Sequence, residues 1–297
     1  MGHNFIGRKH ELELLEAEYV LQRASLIVLY GRRRVGKSKL LTQFYQKKRL
    51  WKFDGLERQP KHRQISHFLG TLAQLAGNPI YQAVSCRNWR EAFMYLDQEI
   101  RRLPLRRRPA VVFDEFSYLA QGRTEIVSDL KWVWDTHWAE RPGFTLVLCG
   151  SVASFMINSV VQSSALYGRI NLEINLKPWS LSEARAFLGT RYSPREILDA
   201  YLFCGGIPAY LDQFNQRQAV AININRLAFQ KDGYFVHELD RLFKELFKKD
   251  RIYRHLMMRF AKHKSLKAEE LARQLQRSKG SGFTRYLEHL EKGGFLT

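Results

Sequence analysis

Eight residues, GRRRVGKS from Gly31 to Ser38, have the spacing GxxxxGK[ST]. This spacing suits a phosphate group. The glycines free the backbone to curl its N–H groups around an anion, Lys37 can reach β- and γ-phosphates, and the Ser38 hydroxyl can bind Mg²⁺. The loop residues Gly31, Arg32, Arg33, Arg34, Val35 and Gly36, with Lys37, Ser38 and Lys39, form the expected nucleotide cradle. Further along, VVFDE ends in Asp114 and Glu115. An aspartate there can hold Mg²⁺ opposite Ser38, and a glutamate beside it can take a proton from an attacking water. Ser151, after LVLCG, is expected to sense the γ-phosphate, to orient that water, or simply to cap a helix. Arg169, in YGRI, is a candidate for stabilising transition-state charge, in its own chain or from a neighbour; otherwise it is an ordinary surface arginine. No NKxD-type guanine signature is present, which favours adenine.

These residues require particular elements to hold them. SLIVLY (25–30) is an apolar, β-branched run immediately before the glycine loop, and KLLTQFYQ after it has helical spacing. Further short strands are expected in RLWKFDGL (49–56), AVVFDEF (110–116), FTLVLCGS (144–151) and INLEINL (170–176). Helical stretches are expected over 10–22, largely over 61–103, and over 125–138. Apolar strands separated by helices make βαβ units and a parallel sheet covered on both faces. After Pro178 only helices are expected. The fold class is therefore α/β, a P-loop core with a parallel sheet followed by helices.

The residues FIGRKHELELL, GRRRVGKSKLL, VVFDEF, LCGS, YGRI with LKPWSLSEARAFL, and CGGIPAYL occur in that order. In this the chain resembles the archaeal-type ATPase family, AAA+-like P-loop ATPases of the signal-transducing STAND group. The resemblance implies an Mg²⁺-dependent ATPase. It implies that Ile6, Gly7 and Arg8, with Glu11, lie near the adenine, and that Gly206 and Pro208 of the GGIP motif belong to a helical lid over the base. It places Ser151 at a sensor position and Arg169 at the GR before the last core strand. The domains expected are an ATPase core over 1–178, a helical lid over 179–245 and a winged helix-turn-helix over 246–297. Its three helices would be 249–262, 267–275 and 282–296, with the wing cut short at Thr297 and the family's nuclease-like domain absent.

The charge balance points the same way and further. Across 297 residues there are 48 Lys+Arg against 29 Asp+Glu, a net +19, which calls for a polyanion. Part of it lies in the phosphate loop. The cluster Arg106, Arg107 and Arg108, together with Lys279 and Arg285 flanking the expected recognition helix, are candidates for duplex DNA. Three scattered cysteines, Cys86, Cys149 and Cys204, form neither a disulfide framework nor a metal site. With no apolar run long enough to span a bilayer, a cytoplasmic protein is expected. The expected function is ATP hydrolysis driving a conformational switch, coupled to DNA or to a partner protein, with a homo-oligomer among the expected partners. The alternatives are a DNA-binding regulator set by ATP with little turnover, and an ATP-dependent assembly scaffold.

Overall fold

The computed structural model describes residues 5–104, 109–151, 155–238, 240–242, 250–262 and 281–292. By compactness the chain divides into two units, Met1–Lys177 and Pro178–Thr297.

The first unit is built on five strands: β1 (Ser25–Tyr30), β2 (Leu50–Asp54), β3 (Ala110–Asp114), β4 (Thr145–Gly150) and β5 (Ile170–Asn175). Their order across the sheet is β2-β3-β4-β1-β5. Every neighbouring pair is parallel. The three central strands are buried along their whole length, as expected when helices cover both faces.

The pleat sorts the side chains. Leu26, Val28, Trp51, Phe53, Val111 and Phe113 face one core, which α3 (Lys61–Ala76), α4 (Trp89–Arg102) and α6 (Glu125–Val133) cover. Ile27, Leu29, Ala110, Val112, Val147 and Cys149 face the other, covered by α1 (Lys9–Val20) and α2 (Lys37–Phe44). The larger core is aromatic. Phe93 stacks on Phe113 at 5.4 Å between centroids, and Phe53 stacks on Phe68 at 4.4 Å.

The largely helical stretch over 61–103 divides into two helices. Gly77 adopts a left-handed φ of 66° and closes α3, and Pro79 opens a short 3₁₀ turn. Asn88 then caps α4 by accepting from the Glu91 amide. The helix expected over 125–138 continues from α6 into a π turn at Trp134–Trp138. That turn delivers the Trp138 indole N–H to Asp97 Oδ1 at 2.9 Å. Asp97 is 1% exposed and is also bound by Arg141 at 2.7 Å and Arg101 at 2.6 Å. One buried carboxylate thus ties α4 to the turn leading into β4.

The second unit begins with two helices, Leu181–Leu188 and Pro194–Cys204. Each starts in a capping box, Ser180 with Glu183 and Ser193 with Glu196. Fully buried Asn223 pins the following loop through its amide, which donates to the carbonyls of Asn215, Gln218 and Ala219. Helices Asp250–Lys262 and Ser281–Lys292 share a small core of Tyr253, Leu256, Phe283 and Leu290. The helix expected over 267–275 and the wing lie outside the described residues. Among the described residues no helix is long and apolar enough to cross a membrane.

Replacing Asp97 with alanine should cost about 3–5 kcal/mol, because it removes the buried carboxylate that Arg141, Arg101 and the Trp138 indole share. Chemical denaturation of the purified chain measures this. A loss below about 1 kcal/mol would show that the three donors find other partners.

Candidate functional site

The phosphate loop leaves β1 at its C-terminal end. Gly31 has no room for a side chain: a Cβ there would stand 2.3 Å from the Leu176 carbonyl oxygen. Gly36 is required for a different reason. It has open space around it but a left-handed φ of 95°, which turns the chain into α2. No side chain caps α2 and no acid sits in its first turn, so its leading amides are left for an anion. Arg34 is also left-handed, at φ 70°.

Lys37 is buried, and its ammonium donates to the carbonyls of Gly31 at 3.0 Å and Arg32 at 3.1 Å. Burial lowers its pKa, opposed by the nearby Glu115 and Asp114 charges. Arg33 donates to the Tyr118 hydroxyl at 3.2 Å, linking the loop to the helix after β3. Lys39 faces outward from the first turn of α2. The N-terminal box also reaches the loop. Arg8 is buried at the start of α1, donates to the Val35 carbonyl at 3.0 Å and pairs with Glu11 at 3.4 Å. Gly7 before it is left-handed, and Ile6 is half-buried.

The acidic pair sits where β3 ends. Asp114 lies on the same sheet face as Ala110 and Val112, the face covered by α2. The Ser38 hydroxyl therefore donates to Asp114 Oδ2 at 2.7 Å. Burial alone would raise the Asp114 pKa, but hydrogen bonds from Lys52 and Ser38 outweigh it and hold the carboxyl below its ordinary value. Glu115 is left-handed at φ 49°. Its Oε1 accepts from the Ser151 hydroxyl at 2.7 Å, whereas Oε2 is buried with no protein hydrogen-bond partner. Ser151 follows β4 directly and is itself buried. Cys149, beneath the site, has its thiol pushed well above the ordinary range by burial and by Asp114, and so stays neutral.

Two further charged residues belong here and were absent from the expectations. Lys52 and Asp54 alternate with Trp51 and Phe53 on β2, and the register pairs Asp54 with Asp114. The Lys52 ammonium lies 2.6 Å from Asp54 Oδ1 and 2.9 Å from Asp114 Oδ2. The period-two alternation in LWKFD carried the signal, but only the strand pairing reveals the partner.

Arg169 is not brought to this site within its own chain, which leaves the readings from a neighbour and as a surface arginine. It precedes β5, whose start pairs with Leu26 near the start of β1. The phosphate loop follows the other end of β1, about 16 Å away along the strand. The Arg169 guanidinium instead grips both oxygens of Asp135, at 2.5 and 2.8 Å. It does not stand at its own chain's phosphate loop. Gly206 lies in the second unit, where a Cβ would stand 2.3 Å from the Trp179 carbonyl oxygen; Pro208 opens the short helix Pro208–Leu211 there. Arg106, Arg107, Arg108 and Lys279 lie outside the described residues. Arg285 falls on the helix Ser281–Lys292.

Fold and site together define a P-loop ATPase of the α/β class, with a five-stranded parallel sheet. Residues 5–214 match the family of ATPase domains found predominantly in Archaea, and the chain belongs to that family. It is 24% identical over 254 residues to the uncharacterized protein MJECL04 of Methanocaldococcus jannaschii, covering 85% of this chain. The chain spans about half, 53%, of that relative's length. Among solved structures it is similar to the Walker-type ATPase PABY2304 of Pyrococcus abyssi: TM-score 0.71, 21% identity, covering 97% of this chain and 89% of the other. It is also similar to the Aeropyrum pernix ORC2 protein solved as ADPNP–ADP complexes: TM-score 0.54, 15% identity, covering 99% and 89%.

The two loop glycines should separate in a stability measurement. Gly36→Ala meets no atom and pays only the left-handed penalty of about 1–2 kcal/mol. Gly31→Ala adds a collision with backbone, which should bring its total to about 3 kcal/mol and displace the loop. Denaturation midpoints of the two variants compare them; equal losses would show that the Leu176 carbonyl yields freely.

Proposed function

We propose that this ATPase domain binds ATP with Mg²⁺ in the Gly31–Lys39 cradle and hydrolyses the β–γ anhydride. The observation that carries the reading is the Ser38 hydroxyl set 2.7 Å from the Asp114 carboxylate at the mouth of the phosphate loop. A hydroxyl and one carboxylate are hard oxygen donors, and Mg²⁺ sites take the rest of their shell from water and substrate phosphate. Ser38 and Asp114 would hold the ion, which when bound screens the phosphate charge. Lys37 leaves its carbonyl partners for the β- and γ-phosphate oxygens. Glu115, its Oε1 held by Ser151, takes a proton on Oε2 from the water that attacks the γ-phosphorus. The bond from that phosphorus to the bridging oxygen breaks, and ADP departs with inorganic phosphate as the second product.

Ser151 is thus a positioning residue whose contact with Glu115 would change as the γ-phosphate arrives and leaves. That change is the switch. Arg8 anchors the loop from α1, in keeping with a place for Ile6, Gly7 and Arg8 beside the nucleotide. Glu115→Gln should keep ATP affinity but lose turnover by about 10²–10⁴-fold. Lys37→Ala should lose affinity. Titration with a fluorescent ATP analogue and a phosphate-release assay separate the two. Normal turnover by Glu115→Gln would remove Glu115 as the base, and intact affinity in Lys37→Ala would misplace the site.

The net charge of +19 favours duplex DNA as the polyanion to which hydrolysis is coupled. Arg101 and Arg102 at the end of α4 do not supply it freely, since they pair with Asp97 and Glu99. DNA should raise phosphate release, and the rise should fade steeply between 50 and 200 mM salt. A rate indifferent to DNA at both salt concentrations would leave a partner protein or a second copy as the coupled element.

A further inference from the structure

Lys52 stands where the mechanism above does not need a cation. It is on the edge strand β2, on the sheet face that carries Asp114, and its ammonium bridges two carboxylates of adjacent strands. Asp54 is 54% exposed, Lys52 35% and Asp114 only 5%. The outer carboxylate is therefore wet and the inner one dry. The ammonium touches Asp114 Oδ2, the same oxygen that accepts from Ser38. A monovalent cation thus occupies the oxygen on which a divalent ion would draw.

Without Lys52 the pair would be a different object. Asp54 and Asp114 are register partners on parallel strands, with backbones about 4.8 Å apart. Two carboxylates at that spacing repel each other and together attract a free divalent ion. The lysine's flexible four-carbon stem allows its head to pivot between the two acids without moving the strand.

We infer that Lys52 is the resident counter-cation of the metal site. It neutralises Asp114 while the cradle is empty, keeps free divalent ions out, and shifts to Asp54 when the metal enters with nucleotide phosphates. Metal then binds only as the nucleotide complex. The inference rests on Ser38 and Asp114 being the metal ligands, and the experiment tests that separately.

The probe is Mn²⁺ followed by electron paramagnetic resonance on the full chain, with and without ADP. The unaltered protein should bind Mn²⁺ weakly alone and tightly with ADP. Lys52→Met should bind Mn²⁺ without ADP at least about tenfold more tightly, since a positive charge a few ångströms from the ion is gone. Lys52→Met with Asp54→Asn should return toward the unaltered value. Circular dichroism checks folding. Should Lys52→Met not fold, Asp54→Asn alone serves: it removes the second resting place, so Mn²⁺–ADP affinity should fall several-fold. Asp114→Asn is the control for the site itself. If it abolishes the ADP-dependent Mn²⁺ signal while Lys52→Met changes nothing, the role of Lys52 is overturned and the site stands. If Asp114→Asn leaves that signal intact, the metal ligands are misassigned and the role of Lys52 falls with them.

Discussion

Burial of the parallel sheet on both faces is the constraint from which the rest follows. Its central strands have no wet side, so their residues must be apolar and their polar atoms must be satisfied by the ladder itself. Chemistry can appear only where strands stop. β1, β3 and β4 stop together at one edge, and they release there a glycine loop, an acidic pair and a serine. The edge is crowded by the same logic. Gly31 passes so close to the Leu176 carbonyl that any side chain would displace the loop from its helix.

Charges at that edge are half-desolvated, and each is kept tolerable by a local partner. Lys37 is held by two carbonyls, Asp114 by a hydroxyl and an ammonium, and Glu115 by one hydroxyl on one oxygen. Leaving any of these uncompensated would cost several kcal/mol. The partners are weak compared with what a nucleotide would offer. A phosphate outbids a carbonyl for an ammonium, because the bond then joins opposite full charges. The arrangement is thus stable enough to fold and loose enough to exchange.

The strands and the loop could be read from residues because each depends on nearest neighbours: β-branched runs, glycines and a lysine at fixed spacing. The placing of Asp114 opposite Ser38 followed from the same local grammar. What escaped depends on pairing. Lys52 and Asp54 look like solvent-facing residues of an edge strand until the register sets Asp54 beside Asp114. The Ser151–Glu115 contact joins two strand ends that are far apart in sequence. The break between α3 and α4 falls at Gly77 and Pro79, whereas π turns such as Trp134–Trp138 leave no comparable trace. Arg169 lies away from its own chain's loop for another reason. A residue before a parallel strand lies at the sheet's starting edge, away from the loop, whatever motif surrounds it.

That starting edge shows by contrast what makes the other one reactive. Asp97 is saturated by Arg101, Arg141 and Trp138, and Asp135 accepts from two of the three guanidinium nitrogens of Arg169. Those bonds leave Asp97 and Asp135 little to offer a ligand, and their work is to hold α4 and the π turn against the sheet. At the finishing edge one carboxylate oxygen of Glu115 is buried without a protein partner, and one ammonium is shared between two acids. Both edges carry dense charge, so charge density does not tell them apart. The finishing edge differs in having a buried carboxylate oxygen beside an ammonium shared between acids, and the phosphate, metal ion and water proposed above would draw on that capacity.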